Sequence, residues 1–179
     1  MDTESDKRLG ELTIVVNGKP VHITVIASYG EPLGQYSFPY RLYFSPRVAA
    51  KAYELALTAR SRGKSLKNPG LEFLRRLLLV KQARNVLDVL ENYGEENGRF
   101  VSVVEKRDNE SLLRNIQENV GNVAGDSGEP LYNSDAVSYY KSRLCLSGES
   151  GENVENLSEL EELVIAHQSL SIEDKWPRC

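Results

Sequence analysis

Cysteine, histidine and long apolar runs are all scarce in this chain of 179 residues, and each scarcity removes a class of explanation. Two cysteines, Cys145 and Cys179, are too few for a disulfide framework; with Cys179 ending the sequence, both are expected as reduced thiols. The two histidines, His22 and His167, fall in different elements without metal-ligand spacing, so no metal site is expected. No apolar stretch approaches the roughly 18 to 20 residues that cross a bilayer, and the start MDTESDKRLG is polar where a secretory signal is apolar. These two features predict a cytoplasmic protein with no membrane partner. Phosphate-cradling motifs are missing as well: neither G-x-x-x-x-G-K-[ST] nor a G-x-G-x-x-G after a strand occurs. No cysteine has a histidine nearby in sequence, and the carboxylates are spread over solvated faces, so the chain reads as a non-enzyme without a cofactor.

What is abundant is positive charge in one place. From Arg41 to Arg84 there are eleven Lys or Arg against two acids, Glu54 and Glu72, giving this segment about +9 while the rest carries about −13. Arg41, Arg47, Lys51, Arg60, Arg62, Lys64, Lys67, Arg75, Arg76, Lys81 and Arg84 can neutralise phosphates, and Tyr36, Phe38, Tyr40, Tyr43 and Tyr53 offer faces on which unpaired bases could stack. Against this stands the plain structural reading, in which helix charges are solvated and tyrosines between apolar residues are core.

The composition, 40% hydrophobic and 27% charged, suits a single domain, taken as residues 11–175 behind a polar lead-in of residues 1–10. Leu12 to Val16 and Val21 to Ile26 are β-rich runs joined by Asn17-Gly18-Lys19-Pro20, a turn whose Asn-Gly supplies positive φ angles. His22 falls on the face opposite Ile23 and Val25. Gly30 to Pro39 reads as an ordered loop, leading into a short strand from Tyr40 to Phe44. Ser45-Pro46 starts a helix that runs to about Arg62 and stops at Gly63, with Val48, Ala52, Leu55, Ala56 and Ala59 on one stripe.

At LEFLRRLLL the signals conflict. Leu, Arg and Glu favour a helix, yet the apolar residues surround the helical wheel, as they would in a buried strand, and Asn68-Pro69-Gly70 is turn chemistry. Leu77 to Val80 is either interior or a partner surface. Lys81 to Tyr93 is a helix ending at Gly94, and Phe100 to Glu105 a strand. Beyond it come a helix within Asn109 to Asn119, a loop from Gly121 to Pro130, a helix capped by Ser134-Asp135 reaching Leu144, a linker over Gly148 to Glu155, and a last helix from Ser158 to about His167.

This order resembles the small regulatory subunit of the KEOPS complex, the PRPK-binding protein family. The resemblance rests on Leu42 to Phe44, Ser45-Pro46, Ala52 and Ala56 with Gly63, then Glu72-Phe73-Leu74, Lys81-Gln82-Ala83, Val86-Leu87 and the two terminal helices. It covers roughly residues 12 to 174. This chain has Leu78-Leu79 where that family often carries Ser-Gly, and Ala83 where it has isoleucine. The resemblance implies an α/β domain with a central, mostly antiparallel sheet flanked by helices, and makes Leu71 to Leu79 a buried strand. It further implies a non-catalytic accessory subunit that binds a small atypical kinase and the 3′ CCA end of tRNA, supporting threonylcarbamoyladenosine modification of tRNA. On that reading Arg47, Lys51, Arg60, Arg62, Lys64, Lys81 and Gln82 contact RNA, and Tyr139 and Tyr140 lie at the kinase interface. The alternative is a basic-faced module for duplex nucleic acid or an acidic protein.

Overall fold

The computed structural model describes residues 6–94, 98–106, 133–146 and 157–170, with the backbone of 117–118. Two long strands, β1 (Lys7–Val16) and β2 (Lys19–Tyr29), form the expected hairpin, its turn made by Asn17 at φ 52° and Gly18 at φ 80°. Strands β3 (Ser37–Pro39), β4 (Arg99–Glu105) and β5 (Gln117–Glu118) complete a sheet of order β3-β4-β2-β1-β5. All pairings are antiparallel except the two-residue contact of β5 with β1. The strand expected from Tyr40 to Phe44 is instead a 3-10 turn at Tyr40–Leu42, and its extended neighbour β3 lies three residues earlier.

One sheet face, carrying Ile14, Ile23, Val25, Val101 and Val103, packs under helices and forms the main core. Across it lies α1 (Pro46–Ser61), capped by Ser45, whose hydroxyl accepts from Val48 N–H at 3.2 Å, with Pro46 at the first helical position. Alanines at 49, 50, 52, 56 and 59 let it approach closely, and on the strand side Gly10 meets Pro46 so tightly that an added Cβ would lie 2.8 Å from the proline ring. Tyr53 ties α1 to β4 by donating to Glu105 at 2.6 Å. The opposite face exposes His22, which pairs with Thr13 at 2.8 Å, but its centre is buried too: Leu33 packs on Ile26 and Val104, and its N–H donates to Ser102.

Leu71 to Leu79 is not a strand. Residues Pro69–Leu78 form helix α2, followed after a break by α3 (Ala83–Tyr93). Asn68 caps α2 by accepting from Gly70 and Leu71 N–H groups, and Glu72 pairs with Arg75 and Arg76 at helical spacings of three and four. Phe73, Leu74, Leu77 and Leu78 are buried on one face of this helix, at spacings of one, three and four, with Glu72, Arg75 and Arg76 on the other. The run fills the wheel only when Leu79 is counted, and Leu79 lies beyond the last turn of the helix. Its end is unusual, because Leu79 adopts a left-handed conformation at φ 58° without being glycine. Helix α4 (Ser134–Arg143) explains it: Tyr140, Tyr139 and Arg143 donate to the successive carbonyls of Leu77, Leu78 and Leu79 at 2.5, 2.6 and 2.7 Å. Helix α5 (Leu157–Gln168) lies against α1 and buries Leu160, Val164 and Gln168.

Cys145, just past α4, is disulfide-bonded, which corrects the expectation of a reduced thiol there; a count of cysteines carries no information on what the fold brings together. Cys179, the Gly121 to Pro130 loop and the Gly148 to Glu155 linker lie outside the described residues, as does most of the helix expected at Asn109 to Asn119, within which 117–118 are strand. No described helix is long and apolar enough to cross a membrane.

Candidate nucleic-acid interface

The fold sorts the eleven basic residues into tied and untied. Arg41 donates to Asp135 at 3.0 Å and lies over the Tyr93 ring. Arg47, at the start of α1, reaches both Glu161 and Glu162 of α5 at 2.8 and 2.7 Å. The hydrogen bond to Glu162 and the charges of both carboxylates, acting against partial desolvation, raise its already high pKa. Lys51 pairs with Glu54 at 2.8 Å. Arg75 and Arg76 both clamp Glu72, whose side chain is 1% exposed. Burial pushes the Glu72 carboxyl up, but hydrogen bonds from Arg75, the Leu66 N–H and Arg76, with the Arg75 charge, outweigh it and hold it below the usual range.

Four cations remain together. Arg60, Arg62, Lys64 and Lys67 are exposed and make no ion pair or side-chain hydrogen bond among the described residues. The helix end that presents them is built locally: Gly63 takes φ +69°, while Lys64 and Gly63 N–H groups bond to the carbonyls of Ala59 and Arg60. The helix dipole favours Arg60 and Arg62 at this carboxyl end without any ligand, but Lys64 and Lys67 lie past the last turn. The connection then ends at the Asn68 cap of α2.

Of the residues expected to meet RNA, the structure therefore keeps Arg60, Arg62 and Lys64 in one exposed place and separates the others. Arg47 lies about 20 Å along α1 from Arg60, and Lys51 is half-buried in its pair. Lys81 and Gln82 follow α2, about one ten-residue helix length, or roughly 15 Å, from the loop before it. There Gln82 accepts from Arg84 at 3.1 Å, and Lys81, partly buried, gives its carbonyl to Arg75. Lys67, outside the expected set, belongs to the exposed group; its place in the acid-free run RSRGKSLK was the available signal.

The aromatic side is weaker than the sequence suggested. Phe38 and Tyr53 are buried, and Tyr36 packs edge-on against Tyr53 and Phe73. Tyr36, Tyr40 and Tyr43 are partly buried, the last two stacked on each other with Arg99 over Tyr40. Tyr139 and Tyr140, expected at a kinase interface, are buried anchors of the α2 carbonyls; a tyrosine inside apolar packing must spend its hydroxyl on an internal acceptor.

No group of three or more His, Cys, Asp or Glu among the described residues is placed to hold a metal. His22 and His167 stay apart, the latter bonded to its own helix at the Leu163 carbonyl. An open groove beside α5 is lined by Ser158, Glu159, Glu162 and Leu163. Comparison with protein-family models, curated proteins and solved structures found no match to this chain.

Proposed function

We propose that this chain is a non-catalytic accessory subunit that binds tRNA through the exposed basic loop Arg60 to Lys67 and docks a small atypical kinase, in the manner of the KEOPS regulatory subunit it resembles. One observation carries the RNA half of this reading: four neighbouring cations are exposed and untied where every nearby acid is engaged. With Tyr139 and Tyr140 buried, kinase docking falls to the exposed side of α4, Ser134, Ser138 and Ser142, and to that of α1.

Titrating tRNA against wild type and an Arg62→Glu, Lys64→Glu double variant over a range of salt tests it. Binding should weaken, and the slope of log affinity against log salt should flatten by about 0.7 to 0.9 for each phosphate no longer neutralised. Unchanged affinity would remove the RNA claim. The burial of Phe38 and Tyr53 favours a second reading, a backbone-reading module for duplex nucleic acid, because fewer rings are left to stack bases. Removing the 3′ CCA nucleotides should weaken binding on the first reading and leave it unchanged on the second. Co-purification with a small kinase tests the docking half.

A further inference from the structure

Between the left-handed Gly63 and the Asn68 cap, the chain runs through Lys64, Ser65, Leu66 and Lys67 with few attachments. Ser65 bonds only locally, its hydroxyl donating to the Leu66 carbonyl. The Lys64 N–H closes the end of α1 on the Ala59 carbonyl; beyond it, the tether from this stretch to α2 among the described residues is the Leu66 N–H, which donates to Glu72 Oε1 at 2.7 Å. Glu72 in turn is saturated: Arg75 Nη2 reaches Oε1 at 2.9 Å, while Arg75 Nε and Arg76 Nε reach Oε2 at 3.1 and 2.8 Å. Both arginines lie on the same helix as the carboxylate, so the anchor is complete before the loop joins it.

We infer that Glu72 is the positioning residue of the basic loop, fixing Arg62, Lys64 and Lys67 in one arrangement for a polyanion while withdrawing Arg75 and Arg76 from that surface. This rests on the proposed RNA-binding role of the loop. A carboxylate is needed because every group facing Glu72 is a donor. An amide in its place would turn an NH2 toward either the Leu66 N–H or a guanidinium, and one buried donor would lose its acceptor.

The variant Glu72→Gln separates positioning from simple electrostatics, since the two predict opposite signs. Removing a negative charge beside a cationic loop should tighten binding of a polyanion if charge alone governs it. If Glu72 positions the loop, binding to a single-stranded RNA oligonucleotide ending in CCA should instead weaken, by about threefold to tenfold, because the loop must be ordered on binding. The salt slope should stay as in wild type, since every cation that meets a phosphate is still present.

Loop order is read independently of RNA. Hydrogen exchange at Leu66 and trypsin cleavage after Arg62, Lys64 and Lys67 should rise about tenfold or more, as losing a charge-assisted hydrogen bond implies, with α1 and α5 protection unchanged. Because Glu72→Gln also disturbs two arginines, Leu66→Pro provides the second arm: it deletes the N–H and leaves the Glu72 cluster whole, and its loop order is read by trypsin cleavage, since position 66 then carries no amide proton. Tighter RNA binding by Glu72→Gln, or loop protection unchanged in both variants, overturns the inference. If wild type binds no RNA, the proposed function fails, and the loop measurements still decide whether Glu72 holds the loop.

Discussion

The hydroxyl of Tyr140 donates to the carbonyl of Leu77 inside a fully buried site, so its loss leaves that carbonyl without its side-chain donor at a helix end. Tyr140→Phe should lower unfolding free energy by about 1 to 3 kcal/mol, read as a shift in urea midpoint with an unchanged slope. A neutral result would mean the carbonyl finds water or another donor. The same burial pushes the Tyr139 and Tyr140 hydroxyls well above their ordinary pKa. Below about pH 10 both the folded and unfolded chains keep these protons and the contribution is intact. Above it the unfolded chain loses protons that the folded one retains, so stability should fall by up to about 1.4 kcal/mol per pH unit for each tyrosine. Urea midpoints measured from about pH 8 to 11 would show this, and Tyr140→Phe should remove part of the slope. Glu72 works in the other direction: its folded pKa is lowered, so its contribution is present above the unfolded value of about 4.3 and is lost as pH falls through the folded one. Stability of wild type should therefore drop on acidification more steeply than that of Glu72→Gln, as followed by urea unfolding between about pH 6 and 3.

At the scale of an element, α2 depends on its first turn, where Asn68 accepts from two N–H groups that the helix itself cannot satisfy. Asn68→Ala should cost about 1 kcal/mol, visible as a lower thermal midpoint, and should loosen α2 before α1 in hydrogen exchange. Equal loosening of both helices would place the cap's effect elsewhere. Much of the rest was legible locally: Asn17-Gly18 marked the hairpin, Ser45-Pro46 and Gly63 bounded α1, and the two terminal helices fell within about two residues of expectation. What misled in LEFLRRLLL was reading past the helix end: residues 71 to 78 are apolar on one face only, and Leu79, which lies beyond the last turn, is what fills the other side of the wheel. The discriminating signs were the Asn68-Pro69 start and the i, i+3 and i, i+4 spacing of Glu72 with Arg75 and Arg76. No local signal announced the left-handed Leu79, because its support comes from α4, more than fifty residues later in sequence.

For the molecule as a whole, the charge surplus was visible in the sequence but its distribution was not. The carboxylates that consume Arg41 and Arg47 come from Asp135, Glu161 and Glu162, about a hundred positions away, and only folding brings them together. Counting cations therefore overstates the surface available to an anion, and pairing decides which of them can release counterions when a phosphate arrives. Arg47 already has two carboxylates for company, so a nucleic acid would have to displace them before gaining a phosphate there. Lys64 has no such competitor among the described residues. Replacing each by glutamine removes one positive charge in both cases, and long-range attraction alone would make the two variants equal. If local pairing governs, Lys64→Gln should weaken tRNA binding several-fold and reduce the salt slope by about one phosphate's worth, while Arg47→Gln should leave the slope unchanged and lower stability slightly through the α1 and α5 contact. An equal drop in slope for both variants would place the binding surface on the amino end of α1 as well, with α5 displaced by the ligand.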